Sequence, residues 1–173
     1  IETMEESLMR IEAMLMAHHR LYQRDNLVEI NLLHYLPDLI QSVLRSYHFE
    51  SIRPIYEIQD IGLHSDKSIP LGLIVNELTT NACKYAFKNN PAPALSIRCT
   101  LKAGIISFTF SDNGPGFVPD TEKDSFGMQL IHLMADKLKA DVTFRKDNGC
   151  RFDLSFDSTV KRKMMKESST SKS

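Results

Sequence analysis

Three polar residues fall in one stretch of the chain at a spacing that suits chemistry: Glu77, Asn81 and Lys84. On a helix, positions i, i+4 and i+7 project along one stripe. An acid, an amide and an ammonium in a row beside an apolar face suit a site for phosphate and metal. The asparagine carbonyl oxygen is a hard ligand for Mg2+, and the lysine is a point charge for a phosphate. The glutamate can hold a metal-bound water or take a proton from a nucleophile. The same residues also fit a solvated face closed by a salt bridge, which is the commoner case for three polar residues alone.

Two further segments shift that balance. Asp112-Asn-Gly-Pro-Gly-Phe117 directly follows an alternating, strand-like run. Glycines there let backbone approach a ligand closely. An aspartate at a strand end can accept a hydrogen bond from an amino group such as N6 of adenine. Taken alone, the segment also makes a good turn. Ser125-Phe-Gly-Met-Gln-Leu130 opens a helix. Its Gly127 leaves N–H groups that suit phosphate, and Ser125 also reads as an ordinary helix cap. No G-x-x-x-x-G-K-[ST] occurs, which excludes a P-loop, and no G-x-G-x-x-G occurs, which removes the usual dinucleotide site.

The elements that must position these residues emerge from periodicity. Met4, Leu8, Ile11 and Leu15 predict a narrow amphipathic helix over 3–22 that packs on a partner helix. Residues 23–31 read as a turn. A helix over 32–48 carries Leu33, Leu36, Leu39, Ile40, Val43, Leu44 and Tyr47 as its apolar face, with Pro37 placed best in its first turn. Residues 52–64 predict one or two strands with a loop. A helix over 70–88 opens on Pro70 and buries Leu71, Ile74, Leu78, Ala82 and Tyr85. Leu95, Ile97, Cys99 and Leu101 alternate, as do Ile106, Phe108 and Phe110, with a Lys-Ala-Gly hairpin turn between them. A helix over 126–138 and strands over 141–146 and 150–157, joined by Asp147-Asn-Gly149, complete the pattern. The Ser-, Thr- and Lys-rich tail from 158 is expected to be disordered. Mostly antiparallel strands with interleaved helices predict an α+β fold, an α/β two-layer sandwich with helices on one face of the sheet.

Composition narrows the class. The 173 residues carry 21 Lys+Arg against 22 Asp+Glu, a net charge of -1, so no strong field points to nucleic acid or an anionic membrane. Cys83, Cys99 and Cys150 are odd in number and widely spaced, which argues against a disulfide framework or zinc site and for a reducing compartment. His34, His48, His64 and His132 lack ligand-like spacing and read as structural. No apolar run approaches the ~18 residues of a membrane helix, and no signal-peptide pattern is present. The chain opens on Ile1 rather than a start methionine. A piece of a longer protein is therefore expected, cytoplasmic in location, with any membrane or sensor portion outside it.

Together, in this order and spacing, the three segments resemble the ATPase domain of sensor histidine kinases, the Bergerat-fold GHKL (HATPase_c) group that also holds gyrase and MutL. Asn76 to Phe87 looks like the N box, Asp112 to Gly116 the G1 box, and Ser125 to Leu130 the G2 box. Asn148-Gly-Cys-Arg-Phe152 sits where a final Gly-Thr box is expected. Arg10-Ile-Glu-Ala-Met14 and His18-His-Arg-Leu-Tyr22, with Ile69-Pro-Leu-Gly-Leu73, resemble the second histidine-kinase dimerisation family. The resemblance implies three regions: 1–28 as the end of the dimerisation helices and linker, 29–157 as the ATP-binding domain, and 158–173 as tail.

It also implies roles. Asp112 would bind adenine N6, Asn81 would hold Mg2+, Lys84 would contact phosphate, and Glu77 would orient a water, including one on the metal, or assist the nucleophile. Gly114 and Gly116 would let a lid loop close, and Gly127 would present backbone to phosphate. Tyr85, Phe117, Ser125, Phe126, Met128 and Leu130 would complete the nucleotide site. The family's reaction moves the γ-phosphoryl of ATP to a histidine on a dimerisation helix, in a homodimer that serves a response regulator. By resemblance that histidine lies upstream, and His18 and His19 match the next helix instead. The chain departs from the pattern at Ser125, where glycine is common, and at Cys150, where a threonine near adenine is expected; its lid is short. Alternatives are a nucleotide-sensing module without catalysis, an anti-sigma-type serine kinase, which would lack the leading helix, and a gyrase- or chaperone-type ATPase, against which Lys84-Tyr85 argues.

Overall fold

Asn31 does three jobs at the entrance to the fold. Its Oδ1 accepts from Leu33 N at 2.9 Å and caps the first helix, while its Nδ2 donates to Asp60 Oδ1 at 2.6 Å. Its backbone lies in a short strand, β1 (Glu29–Asn31), which pairs antiparallel with β3 (Gly62–His64). The turn expected over 23–31 thus ends in strand pairing that local sequence does not announce. In this computed structural model, residues 29–116 and 125–159 are described. The helix expected over 3–22, Phe117 and the tail beyond 159 lie outside them.

The first helix, α1 (Leu32–Ser46), buries Leu32, Tyr35, Leu36, Leu39, Ile40, Val43 and Leu44. Pro37 is its sixth residue, one turn later than expected. The second helix, α2 (Ser65–Asn81), starts five residues before Pro70, so the proline lies inside it. The cause is an unusual cap: His64 Nδ1 accepts from Asp66 N at 3.2 Å. An imidazole is not among the side chains that signal a helix start in sequence. α1 and α2 pack closely at Gly72, where a Cβ would lie 2.0 Å from the Tyr35 hydroxyl.

After Asn81 the helix changes type. Ala82–Ala86 form a π turn, in which Phe87 N donates to Ala82 O at 2.9 Å, five residues back. The wider turn rotates its own later residues away from where a regular α-helix would carry them. Tyr85, expected in the core, is 67% exposed, whereas Leu71, Ile74, Leu78 and Ala82 are buried as expected.

The larger sheet runs β2 (Ile55–Ile58), β4 (Leu95–Lys102), β5 (Ile105–Asp112), β7 (Cys150–Asp157), β6 (Asp141–Lys146). Only the β2–β4 pair is parallel. Alternation sends Leu95, Ile97, Cys99, Ile106, Phe108, Phe110, Phe152, Leu154 and Phe156 to one buried face. Opposite, Thr109, Arg145 and Arg151 all donate to the Asp153 carboxylate on a polar face. One covered and one wet face make the expected α+β two-layer sandwich. The third helix, α3 (Phe126–Leu138), packs on α2 and is capped by Ser125 Oγ, which accepts from Met128 N at 3.4 Å. No helix among the described residues is long and apolar enough to cross a membrane.

Candidate functional site

β5 is the central strand, and it ends on Asp112. There the chain needs an acceptor whose own position is fixed. Asp112 Oδ1 accepts from Gly114 N at 2.9 Å and from Cys150 N at 3.2 Å. Two backbone donors on one oxygen hold the carboxylate in place and leave its second oxygen without a hydrogen-bond partner among the described residues. The neighbouring Asn113 anchors the segment to the loop after the π turn: its Oδ1 accepts from Ala94 N at 2.8 Å, and its Nδ2 donates to Ala92 O at 2.8 Å.

Close approach is enforced by glycine at two points. A Cβ on Gly149 (φ +143) would lie 1.8 Å from the Asp112 carbonyl oxygen. A Cβ on Gly114 would lie 2.5 Å from Ala86 Cα, so the Asp112 turn sits directly on the π turn. The sequence places glycine at both positions, and nothing larger fits.

Beside Asp112 opens a cavity of about 480 Å³, the size of a small-molecule site. It collects six of the residues expected for nucleotide: Asn81, Tyr85, Asp112, Gly116, Ser125 and Met128. Tyr85 is exposed, yet it borders the opening. The remaining wall is largely apolar, with Leu78, Phe110 and Phe144 prominent. Phe144 was not foreseen; it comes from β6, and its ring meets that of Phe152 edge-on at 4.9 Å. Its only sequence signal is a place in the alternation of an edge strand. Cys150 also lines the cavity, where the resemblance expects threonine.

Other expected residues stand around this cavity rather than in its wall. Glu77 is buried, at 4% exposure, and its Oε2 would lie 2.7 Å from a Cβ on Gly127. The first turn of α3 therefore rests against the Glu77 carboxylate. Lys84 is half-buried on the π turn, and that burial lowers its pKa from the ordinary lysine value. Phe126 is exposed and Leu130 half-buried on α3, and neither lines the cavity. Gly114 serves the Asp112 turn from behind.

The residues present fit an adenine nucleotide with Mg2+. The cavity pairs apolar walls with one fixed carboxylate at the end of the sheet. Among the described residues no group of three or more His, Cys, Asp or Glu gathers as an all-protein metal cage. A single amide oxygen, from Asn81, suits an ion that takes most of its ligands from phosphate and water. The cysteines form no disulfide; burial pushes the Cys83 and Cys99 thiols up to about 12.

The fold has solved counterparts. The histidine kinase domain of the Erythrobacter litoralis EL346 blue-light activated histidine kinase superposes with a TM-score of 0.79 at 17% identity, covering 90% of this chain and 76% of that one. A longer structure of the EL346 protein gives 0.76 at 18% identity, covering 86% of this chain and 47% of that one. The mycobacterial sensor histidine kinase MprB gives 0.61 at 16% identity, with 75% and 95% covered. At these identities the likeness speaks for the fold. No curated protein matches the chain. A family model described as histidine kinase-like ATPase domain matches residues 53–150, and one described as histidine kinase matches residues 1–47. The chain therefore belongs to the histidine kinase-like ATPase domain family, as the catalytic domain of a histidine kinase with an adjoining dimerisation-type region.

Proposed function

We propose that this domain binds Mg-ATP in the cavity beside Asp112 and passes its γ-phosphoryl to a histidine on an upstream dimerisation helix. The observation that carries the reading is the Asp112 carboxylate, fixed by two backbone N–H groups at the end of an apolar cavity of nucleotide size. Adenine would enter between Leu78, Phe110, Met128 and Phe144, with its amino group on the unpartnered Asp112 oxygen. Asn81 would hold Mg2+, which when bound draws charge from the phosphates. Lys84 neutralises phosphate charge, and Glu77 orients a water or receives the proton of the nucleophile. Catalysis of this kind is positioning and charge stabilisation more than covalent chemistry.

His18 and His19 are not the proposed acceptors, since they match the helix that comes after the acceptor helix. Partnership with a response regulator and homodimerisation belong to the same reading. Titration calorimetry with ATP, ADP and Mg2+ tests the binding half. A phosphotransfer assay with the dimerisation helix present tests the other. Nucleotide binding with no transfer would leave a sensing module in place of a kinase.

Lys84 gives this reading a pH signature. Burial favours its neutral form, whereas a bound phosphate favours the charged form, so binding raises its pKa and takes up a proton. ATP affinity is expected to fall as pH rises through the lowered Lys84 value, earlier than an ordinary lysine would allow. Adenosine, which has no phosphate, should show no such fall. Calorimetry across alkaline pH decides this, and a fall unchanged by Lys84→Met would assign it elsewhere.

A further inference from the structure

We propose that Asn76 is a positioning residue for Glu77, its amide holding the carboxylate in one orientation beside the first turn of α3. The inference rests on the reading of Glu77 as the group that orients water or assists the nucleophile. Asn76 is 2% exposed, and its Nδ2 donates to Glu77 Oε1 at 3.5 Å, a long bond within a buried pair. The other carboxylate oxygen, Oε2, faces Gly127 so closely that a Cβ there would lie 2.7 Å away. Glu77 is thus bracketed, with an amide donor on one oxygen and the backbone of α3 at the other.

The rest of Asn76 makes no sense as stability. Its Oδ1 is buried with no hydrogen-bond partner among the described residues. An unpartnered buried carbonyl destabilises a fold. Leucine would occupy similar space, carry no orphan and form helix better. Turning the amide over would place its carbonyl against the carboxylate. The donor can therefore face Glu77 only while the carbonyl stays orphaned. A group kept against stability in this way is characteristic of functional sites. Thr80 Oγ1, one turn further along α2, is likewise buried without a partner, and it supplies a control.

The test is Asn76→Leu in the wild-type and Glu77→Gln backgrounds, with Asn76→Ala carrying the same comparison if leucine does not fit. Four quantities are read: Tm without nucleotide, Kd for ADP, and kcat and KM for phosphotransfer from ATP. Tm should be held or raised, and Kd and KM should stay near the wild-type values. kcat should fall by about tenfold or more in the wild-type background, with no further loss on Glu77→Gln, because the two changes remove one function. Asn76→His, which keeps an N–H donor, should recover part of kcat. Thr80→Val removes an orphan without touching the pair, and should raise Tm with kcat unchanged. Wild-type kcat in Asn76→Leu, or an equal loss in both backgrounds, would overturn the proposal. A Glu77→Gln protein as active as wild type would instead sink the catalytic reading of Glu77, and Asn76 with it.

Discussion

Asp112→Asn is expected to weaken ADP and ATP binding by roughly tenfold or more while leaving the fold in place. Oδ1 accepts two backbone N–H groups, from Gly114 and Cys150, and an asparagine oxygen can take over both bonds. Its NH2 then points where the second carboxylate oxygen stood, into the cavity. There a donor meets the donor of the adenine amino group, and one of them goes unpaired, at ~1–3 kcal/mol. If the amide flips instead, its NH2 faces the two backbone donors and the Asp112 turn loosens. Thermal denaturation separates the cases, since the first leaves Tm nearly unchanged. Equal calorimetric affinities for the two proteins would remove Asp112 from the adenine site.

Gly149→Ala should do damage of a different kind. The new methyl would lie 1.8 Å from the Asp112 carbonyl oxygen, at a backbone φ of +143 that alanine rarely adopts. Overpacking of this sort costs ~1–3 kcal/mol or more, and the backbone strain adds ~1–3 kcal/mol. For a chain of this size a loss of about 3 kcal/mol lowers Tm by roughly 6–12 °C. Nucleotide binding should fail with it, because the strand end carrying Asp112 must move away. Gly104→Ala separates the two causes: φ is +78, but nothing lies within 4 Å of the added methyl. It should show strain alone and keep ADP binding. Equal Tm losses at both glycines would mean that the clash at Gly149 relaxes freely.

The parts of the fold that were legible carry local signals. α3 over Phe126–Leu138 has a serine cap before it, and β6 and β7 flank an Asp-Asn-Gly turn whose Asn148 and Gly149 take positive φ. The β4–β5 hairpin turns on Ala103 and Gly104, also at positive φ. What escaped depends on partners distant in sequence or on unusual geometry. An imidazole caps α2, so its start is hidden behind Pro70. β1 exists only because β3 pairs with it. In the site, the boxes announced Asp112, Asn81 and their glycines, because such residue types at such spacing are rare together. Phe144 gave no comparable notice: its alternation in β6 tells which face it takes, but the cavity it meets is built by α2, β5 and α3. Tyr85 was legible as a nucleotide-box residue but not as an exposed one, for a reason that lies in the backbone.

That reason is the π turn at Ala82–Ala86. It behaves like one extra letter in a text read in fixed frames. Upstream, up to Ala82, the helix is read in the frame of the core, and every residue over 71–80 is buried. Downstream the frame slips, and Tyr85 falls at the rim instead of the interior, while Ala86 comes to rest under Gly114. A single element can thereby be wholly interior along most of its length and still present a mouth at its end.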